Sequence, residues 1–244
     1  MAAYYAQPAA ANYHCPPMTM QKQRGYRICD QCGAAETPSA KFRLCGGCMT
    51  TQYCSQECQK IHWPSHKPIC QHTASQISSV KQSVGAAYGD GDLAKCLRKF
   101  TSAHTDLLGW AGFQALQLKR VPANVRQNAL LIELTYHGRH SDSYRRFSVS
   151  STHIVPRNYI RDPLVLADIQ RREERCRHNG GIGTLVVIIQ CNGISQVMPV
   201  EVDPPSKISW DTRDDWPQVL HHFVEQGRTD FKPISTTSRG VYYG

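Results

Sequence analysis

Seven of the eleven cysteines in this 244-residue chain fall within the 42 residues from Cys29 to Cys70. With one histidine they resolve into four pairs: Cys29-x2-Cys32, Cys45-x2-Cys48, Cys54-x3-Cys58 and His66-x3-Cys70. In the first two, a tight turn aims two thiolates at one point. In the last two the partners lie one helical turn apart, so a helix beginning near Ser55 puts Cys54 and Cys58 on one face. Eight soft ligands with tetrahedral preference make two closed sites, and such sets select zinc. No coordination position is left for a substrate, so both ions are expected to be structural. A segment this poor in large apolar side chains has little else to fold around, and metal binding is then its folding free energy. Spacing alone allows the pairs to be combined sequentially or interleaved.

An odd cysteine count argues against a simple disulfide framework. The opening residues, Met1-Ala-Ala-Tyr-Tyr-Ala-Gln-Pro, lack the basic-then-apolar pattern of a secretory leader. The longest apolar run, Leu185–Ile189, is far short of the roughly 20 residues that cross a bilayer. The expectation is an intracellular protein, in nucleus or cytoplasm, with no membrane partner. In that reducing setting clustered cysteines are metal ligands. Cys15, Cys96, Cys176 and Cys191 stand apart and read as small apolar filler or surface thiols. His62 lies among the ligands but off their spacing, and His221-His222 reads as a half-exposed pair on a helix.

Composition divides the chain into four parts. Residues 1–24, rich in Ala, Tyr, Gln and Pro without a helical or strand period, read as a disordered tail. The metal-binding segment occupies 25–72, a serine-bearing linker 73–89, and an α+β domain with an antiparallel sheet 90–244. In that domain Leu93, Leu97, Phe100, His104, Leu107, Ala111, Ala115 and Leu118 share a helical face, as one long helix or two broken near Gly109–Gly112. Leu130, Ile132, Leu134 and Tyr136 alternate like a strand, and Phe147, Val149 and Ser151 like its hairpin partner. Asp162-Pro163 is a helix start and Gly180 a stop. Asn192-Gly193 between two apolar runs predicts a type I′ hairpin. Thr212 with Asp215 resembles a capping box leading into Val219, Leu220 and Phe223, with Gly227 as the stop.

The strings Cys29-Asp-Gln-Cys32, Leu44-Cys-Gly-Gly-Cys48, Gln52-Tyr-Cys-Ser-Gln-Glu-Cys-Gln59 and Trp63-Pro-Ser-His-Lys-Pro-Ile-Cys70 closely resemble the MYND zinc finger. The resemblance implies an interleaved cross-brace: Cys29, Cys32, Cys54 and Cys58 on one zinc ion, Cys45, Cys48, His66 and Cys70 on the other. It also implies a protein-interaction module. Some family members bind short proline-containing peptides along an exposed strand, and the positions that line their groove match Gln59 and Trp63 here. An indole face packs on a proline ring, and Thr50–Tyr53 offers a strand edge to an extended peptide. The alternative place for Trp63 is the small core over the second zinc. One departure is Gly46, where a peptide-binding member carries a polar residue.

Some proteins with this finger are lysine methyltransferases. Their Asn-His-Ser-Cys-like motif is missing from this chain, as are His-Glu-x-x-His and Gly-x-Ser-x-Gly, so no enzyme is expected. Gly180-Gly181-x-Gly183 follows a helix and precedes a strand, the reverse of a phosphate loop. The rival to an adaptor or regulatory protein is a nucleic-acid-associated transcriptional regulator. Arg171, Arg172, Arg175, Arg177 and His178 cluster on one helix, Lys95, Arg98 and Lys99 on another. Glu173 and Glu174 interrupt the first run, which reads as a solvated face. The formal net charge of +9 counts every thiol as neutral. Seven thiolates against two divalent ions lower it by three, to about +6, which weakens the nucleic-acid reading.

Overall fold

The computed structural model describes residues 28–243 except 35, 38, 49, 89–92 and 139–142. The tail read over 1–24, with Cys15, lies outside the described residues.

The metal-binding segment is built on a short antiparallel ribbon, β1 (Arg43–Leu44) and β2 (Gln52–Tyr53), followed by helix α1 (Gln56–Tyr88). The helix starts where the spacing predicts. Ser55 caps it, its Oγ accepting from the Cys58 amide at 3.1 Å. Cys54 sits just before the first turn, while Cys58, His66 and Cys70 all project from α1 itself.

The apolar face after residue 92 forms two helices, α2 (Leu93–Ala103) and α3 (Thr105–Ala115). The break is at His104 and not at Gly109–Gly112. His104 leaves helical geometry at φ −104°, ψ 19°, and its buried ring donates from Nδ1 to the Phe100 carbonyl at 2.9 Å. Both glycines stay helical, and at Gly112 thinness is what the residue supplies. A Cβ on Gly112 would stand 3.0 Å from both Leu185 Cδ2 and Val187 Cγ2. Helix α3 therefore lies hard against the sheet, with everything from Leu107 to Ala115 buried.

A short helix, α4 (Asn124–Gln127), leads into the four-stranded sheet. Its strands are β3 (Asn128–Tyr136), β4 (Phe147–Pro156), β5 (Gly183–Cys191) and β6 (Ile194–Val202), in spatial order β4-β3-β5-β6. Both hairpins are antiparallel, as their turns require. The hairpins meet through a parallel pairing of β3 with β5, reached by way of helix α5 (Pro163–His178), so the sheet is mixed. One face carries Leu130, Ile132, Leu185, Val187 and Ile189 against Leu97, Phe100, Phe113 and Leu220. The other carries Ala129, Leu131, Val186 and Ile188 against Ile160 and Ile169. Burial on both faces is why Leu185–Ile189 is an unbroken apolar run. Ser151 departs from the expected alternation: Ser150 is an extra residue opposite Glu133/Leu134, and this bulge turns Ser151 to the α5 face.

Local signals hold where the chemistry is local. Asn192 (φ 47°) and Gly193 (φ 80°) make the expected turn. Asp162 caps α5 by accepting from the amides of Leu164 and Val165, and Gly180 (φ 80°) follows its end. The capping box of Thr212 and Asp215 does not form. Helix α6 (Trp216–Glu225) begins after Asp215 without a side-chain cap, because Arg213 takes that carboxylate at 2.7 and 2.5 Å. Gly227 (φ 62°) ends α6 as expected. A terminal hairpin, β7 (Ile234–Thr237) and β8 (Gly240–Tyr243), is pinned by Asp211, which accepts from the Thr236 amide and hydroxyl at 2.9 and 2.7 Å. Among the described residues no helix is long and apolar enough to cross a membrane.

Candidate metal centre

The eight expected ligands gather into two groups, Cys29, Cys32, Cys54, Cys58 and Cys45, Cys48, His66, Cys70, with the ligand atoms of each group within 4.8 Å of one another. This is the interleaved arrangement, and the sequential combination is excluded by it. In the first group Cys32 Sγ lies 3.6 Å from Cys54 Sγ, and Cys54 Sγ lies 3.5 Å from Cys58 Sγ. In the second, Cys45 and Cys70 are 3.7 Å apart, and His66 Nε2 is 3.4 Å from Cys45 Sγ and 3.5 Å from Cys48 Sγ. A zinc–sulfur bond of about 2.3 Å gives a tetrahedral edge near 3.8 Å, so these separations fit four ligands around one ion. They are far beyond the roughly 2 Å of a disulfide, and all seven thiols are free.

Local backbone sets up each site. In the first knuckle Gly33 takes φ 73° and donates to the Cys29 carbonyl at 2.9 Å. In the second, a Cβ on Gly47 would come within 2.7 Å of Cys70 Sγ, so the turn passes close to a ligand only because that residue is glycine. Thr51 Oγ1 lies 3.4 Å from His66 Nδ1, which leaves Nε2 facing the thiolates. The Cys48 thiol is lowered by hydrogen bonding, first to Cys45 and then to His66, against the opposing effect of burial.

The two sites differ in exposure. All four ligands of the second are buried, whereas Cys32 and Cys54 of the first are open to solvent and Cys58 is half-buried. His62, off the ligand spacing, supports the second site. Its Nδ1 meets the Tyr53 hydroxyl at 2.9 Å, and its ring stacks on His66 at 5.5 Å. Burial, helped by the Arg171 charge, pulls His62 down to about 4 and keeps it neutral. Trp63 has its edge against His66, with ring centroids 6.0 Å apart, yet remains 39% exposed. Gln59 is half-buried one turn earlier, and the space beside Gly46 is open.

Cys96, Cys176 and Cys191 are buried away from both sites, though not all as plain apolar filler: Cys176 Sγ donates to the Gly183 carbonyl and Cys96 Sγ accepts from Arg146 Nη1, each at 3.1 Å. His221 is half-buried and His222 exposed on α6.

Arg177 and His178 lie exposed on α5 as a solvated face requires, but Arg172 and Arg175 do not. Arg172 is buried between Asp168, at 2.8 Å, and Asp30, at 2.5 Å. Arg175 joins the Asp30 carbonyl at 2.5 Å and also pairs with Glu201. Asp30 lies inside the first metal knuckle, so these contacts lock the finger to the second domain. Arg98 Nη1 makes a lesser contact with the Gly47 carbonyl at 3.2 Å. The one sequence sign of this docking is an acidic residue between two thiolate ligands, where added negative charge is unfavourable without a cation.

Residues 29–70 match the family model for the MYND finger. The chain is 48% identical over 48 residues to the dauer abnormal formation protein 25 of Caenorhabditis elegans, covering 20% of this chain and 12% of that protein. It is 39% identical over 61 residues to the N-lysine methyltransferase SMYD2-B of Danio rerio, covering 24% of this chain and 13% of that protein. The matches thus span about an eighth of the length of these relatives. No solved structure matches the chain. Sequence, geometry and family model agree: residues 29–70 form a two-zinc MYND finger, a protein-interaction module, with closed and structural metal sites.

Proposed function

We propose that this chain is a non-enzymatic adaptor or regulatory protein whose finger takes a partner peptide, proline-containing by its chemistry, at the surface around Trp63 and Gln59. The observation that carries the reading is the half-free indole of Trp63. Its ring meets the ligand His66 at 6.0 Å between centroids while 39% of the residue remains open to solvent. A rigid aromatic surface of this kind suits a proline ring, and it loses little rotamer freedom on binding.

The nucleic-acid alternative depends on a free basic helix, and Arg171, Arg172 and Arg175 are engaged with Asp168, Asp30 and Glu201. The similarity to a methyltransferase extends over 61 residues, 13% of that protein, and lends no activity to the rest of this chain. Among the described residues, Ser151, His153 and Glu133 on the sheet come near a catalytic grouping. There Glu133 accepts from the serine instead of orienting the imidazole, and both Glu133 and His153 are about half exposed, 47% and 55%. A nucleophile is activated by the opposite arrangement, with the carboxylate behind the histidine.

The test is fluorescence anisotropy of labelled proline-containing peptides with the full chain and with Trp63→Ala. The substitution should weaken binding by about ten-fold or more, roughly 1.4 kcal/mol. Equal binding would remove Trp63 from the recognition surface.

A further inference from the structure

The first zinc site has an unfavourable electrostatic setting if considered alone. Four thiolates around a divalent ion carry a net charge of −2. Within the same knuckle lies the carboxylate of Asp30, with only 1% of its side chain exposed. Oδ2 of that carboxylate accepts from the Gln52 amide at 2.8 Å, which places β2 two residues ahead of the ligand Cys54. Asp30 thus joins the first knuckle to the strand that delivers the third ligand, at the cost of another negative charge beside the cluster.

The compensating cations come from the other domain. Arg172 Nη1 reaches Asp30 Oδ1 at 2.5 Å, and its Nε is held by Asp168 at 2.8 Å. Arg175 Nη1 donates to the Asp30 main-chain carbonyl at 2.5 Å, and its Nε is held by Glu201, on β6, at 2.9 Å. Both guanidinium groups are therefore oriented by carboxylates of the α+β domain before they meet the knuckle. Removing Arg172 leaves Asp30 buried beside a dianionic cluster with only the longer contact from Arg175 Nη2, at 3.4 Å, close to the condition in which a broken ion pair is most harmful.

We propose that Arg172 and Arg175 are positioning residues for the first zinc ion, so that the α+β domain acts as a retention clamp for the exposed site. The second site has four buried ligands and no buried carboxylate inside its knuckle to be neutralised; what reaches it from α2 is a neutral-acceptor contact, Arg98 to the Gly47 carbonyl at 3.2 Å. It does not depend on the clamp. Metal loss is thereby biased by docking: a finger parted from α5 gives up the tetrathiolate ion first.

The experiment follows zinc release from the full-length protein to 4-(2-pyridylazo)resorcinol for wild type, R172Q, R175Q, R98Q and the double variant D30N,R172Q. Cobalt-loaded samples identify the site, since tetrathiolate and trithiolate–histidine cobalt centres absorb differently. In R172Q and R175Q one ion, the tetrathiolate one, should leave about ten-fold faster or more, in line with other groups that orient metal ligands from behind. The other ion should keep its wild-type rate, and R98Q should leave the tetrathiolate ion unaffected. The double variant, with neither charge left buried alone, should recover much of the retention. Should R172Q fail to fold, R175Q decides, because it leaves Arg172 on Asp30. Unchanged release in the folded variants would overturn the proposal. Equal acceleration of both ions would overturn it too, because it would mark general destabilisation.

Discussion

His72 on α1 and Asp162 at the start of α5, ninety positions apart, share a hydrogen bond of 2.5 Å from Nε2 to Oδ2. The other oxygen of Asp162 caps α5, accepting from Leu164 and Val165 at 3.0 and 3.2 Å. One carboxylate therefore caps the start of α5 and ties it to the helix of the finger. The His72 bond, with the two amide bonds, holds the Asp162 carboxyl below its ordinary range in spite of partial burial.

Replacing Asp162 separates those roles. Asp162→Ala loses both the cap and the tether, and should lower stability by about 1–2 kcal/mol in urea unfolding. Asp162→Ser keeps an N-cap oxygen but has a shorter reach toward His72, so it should recover only the cap share. Equal stability of the two variants would mean that the tether contributes nothing.

The two glycines of α3 should respond oppositely to alanine. At Gly112 the new Cβ meets Leu185 and Val187 at 3.0 Å, and overpacking there should cost about 1–3 kcal/mol. At Gly109 it meets Val200 at an ordinary 3.7 Å, and helix propensity should give a gain of up to about 1 kcal/mol. Thermal unfolding of Gly109→Ala and Gly112→Ala checks the order. A reversed order would contradict the close approach of α3 to β5.

Metal analysis of the purified protein should find two zinc ions per chain, and dialysis against a strong chelator should unfold residues 29–70. Cys54→Ser should bind one ion, at the second site. Gly47→Ala should also bind one, at the first site, because its Cβ would crowd Cys70 Sγ at 2.7 Å. The cobalt spectrum tells which site survives; two ions in Cys54→Ser would refute the ligand assignment, and two in Gly47→Ala would refute the tight approach of residue 47 to Cys70.

Acid stability should depend on Asp168. Burial alone would raise its pKa, but the charge of Arg172 and the hydrogen bonds of Arg171 and Arg172 prevail and hold it at about 2. A carboxyl depressed in the folded state adds stability above its unfolded pKa and loses it as the pH falls through the folded value. The stability of wild type minus that of Asp168→Asn should therefore be constant above about pH 5. It should shrink by about 2 kcal/mol as the pH approaches 2. Metal loss on acidification affects both proteins, so the difference isolates Asp168. A difference that does not change over this range would place the ion pair in solvent.

What could be read before folding was chemistry decided within a few residues. The ligand spacings, the Asn192-Gly193 turn, the Asp162 cap and the Gly227 stop all depend on neighbours in sequence, and each stands where its residues put it. The misreadings were decided by residues far along the chain or by competition. Gly112 looked like a breaker because its neighbours Leu185 and Val187 are invisible locally. Asp215 looked like half of a capping box until Arg213 took its carboxylate. Arg172 looked solvated because Asp30, its partner, lies 142 positions earlier. The parallel junction of β3 and β5 follows from the path through α5, which no turn signal encodes.

Helix α1 gives Cys58 to one zinc ion and His66 and Cys70 to the other. Twelve residues at 1.5 Å each span about 18 Å, so the helix is fixed at both ends of that stretch and cannot roll about its axis. Trp63 lies between the two attachment points. The compass bearing of its indole is thus set by metal coordination, and a partner that recognises it registers, in one contact, that both ions are in place.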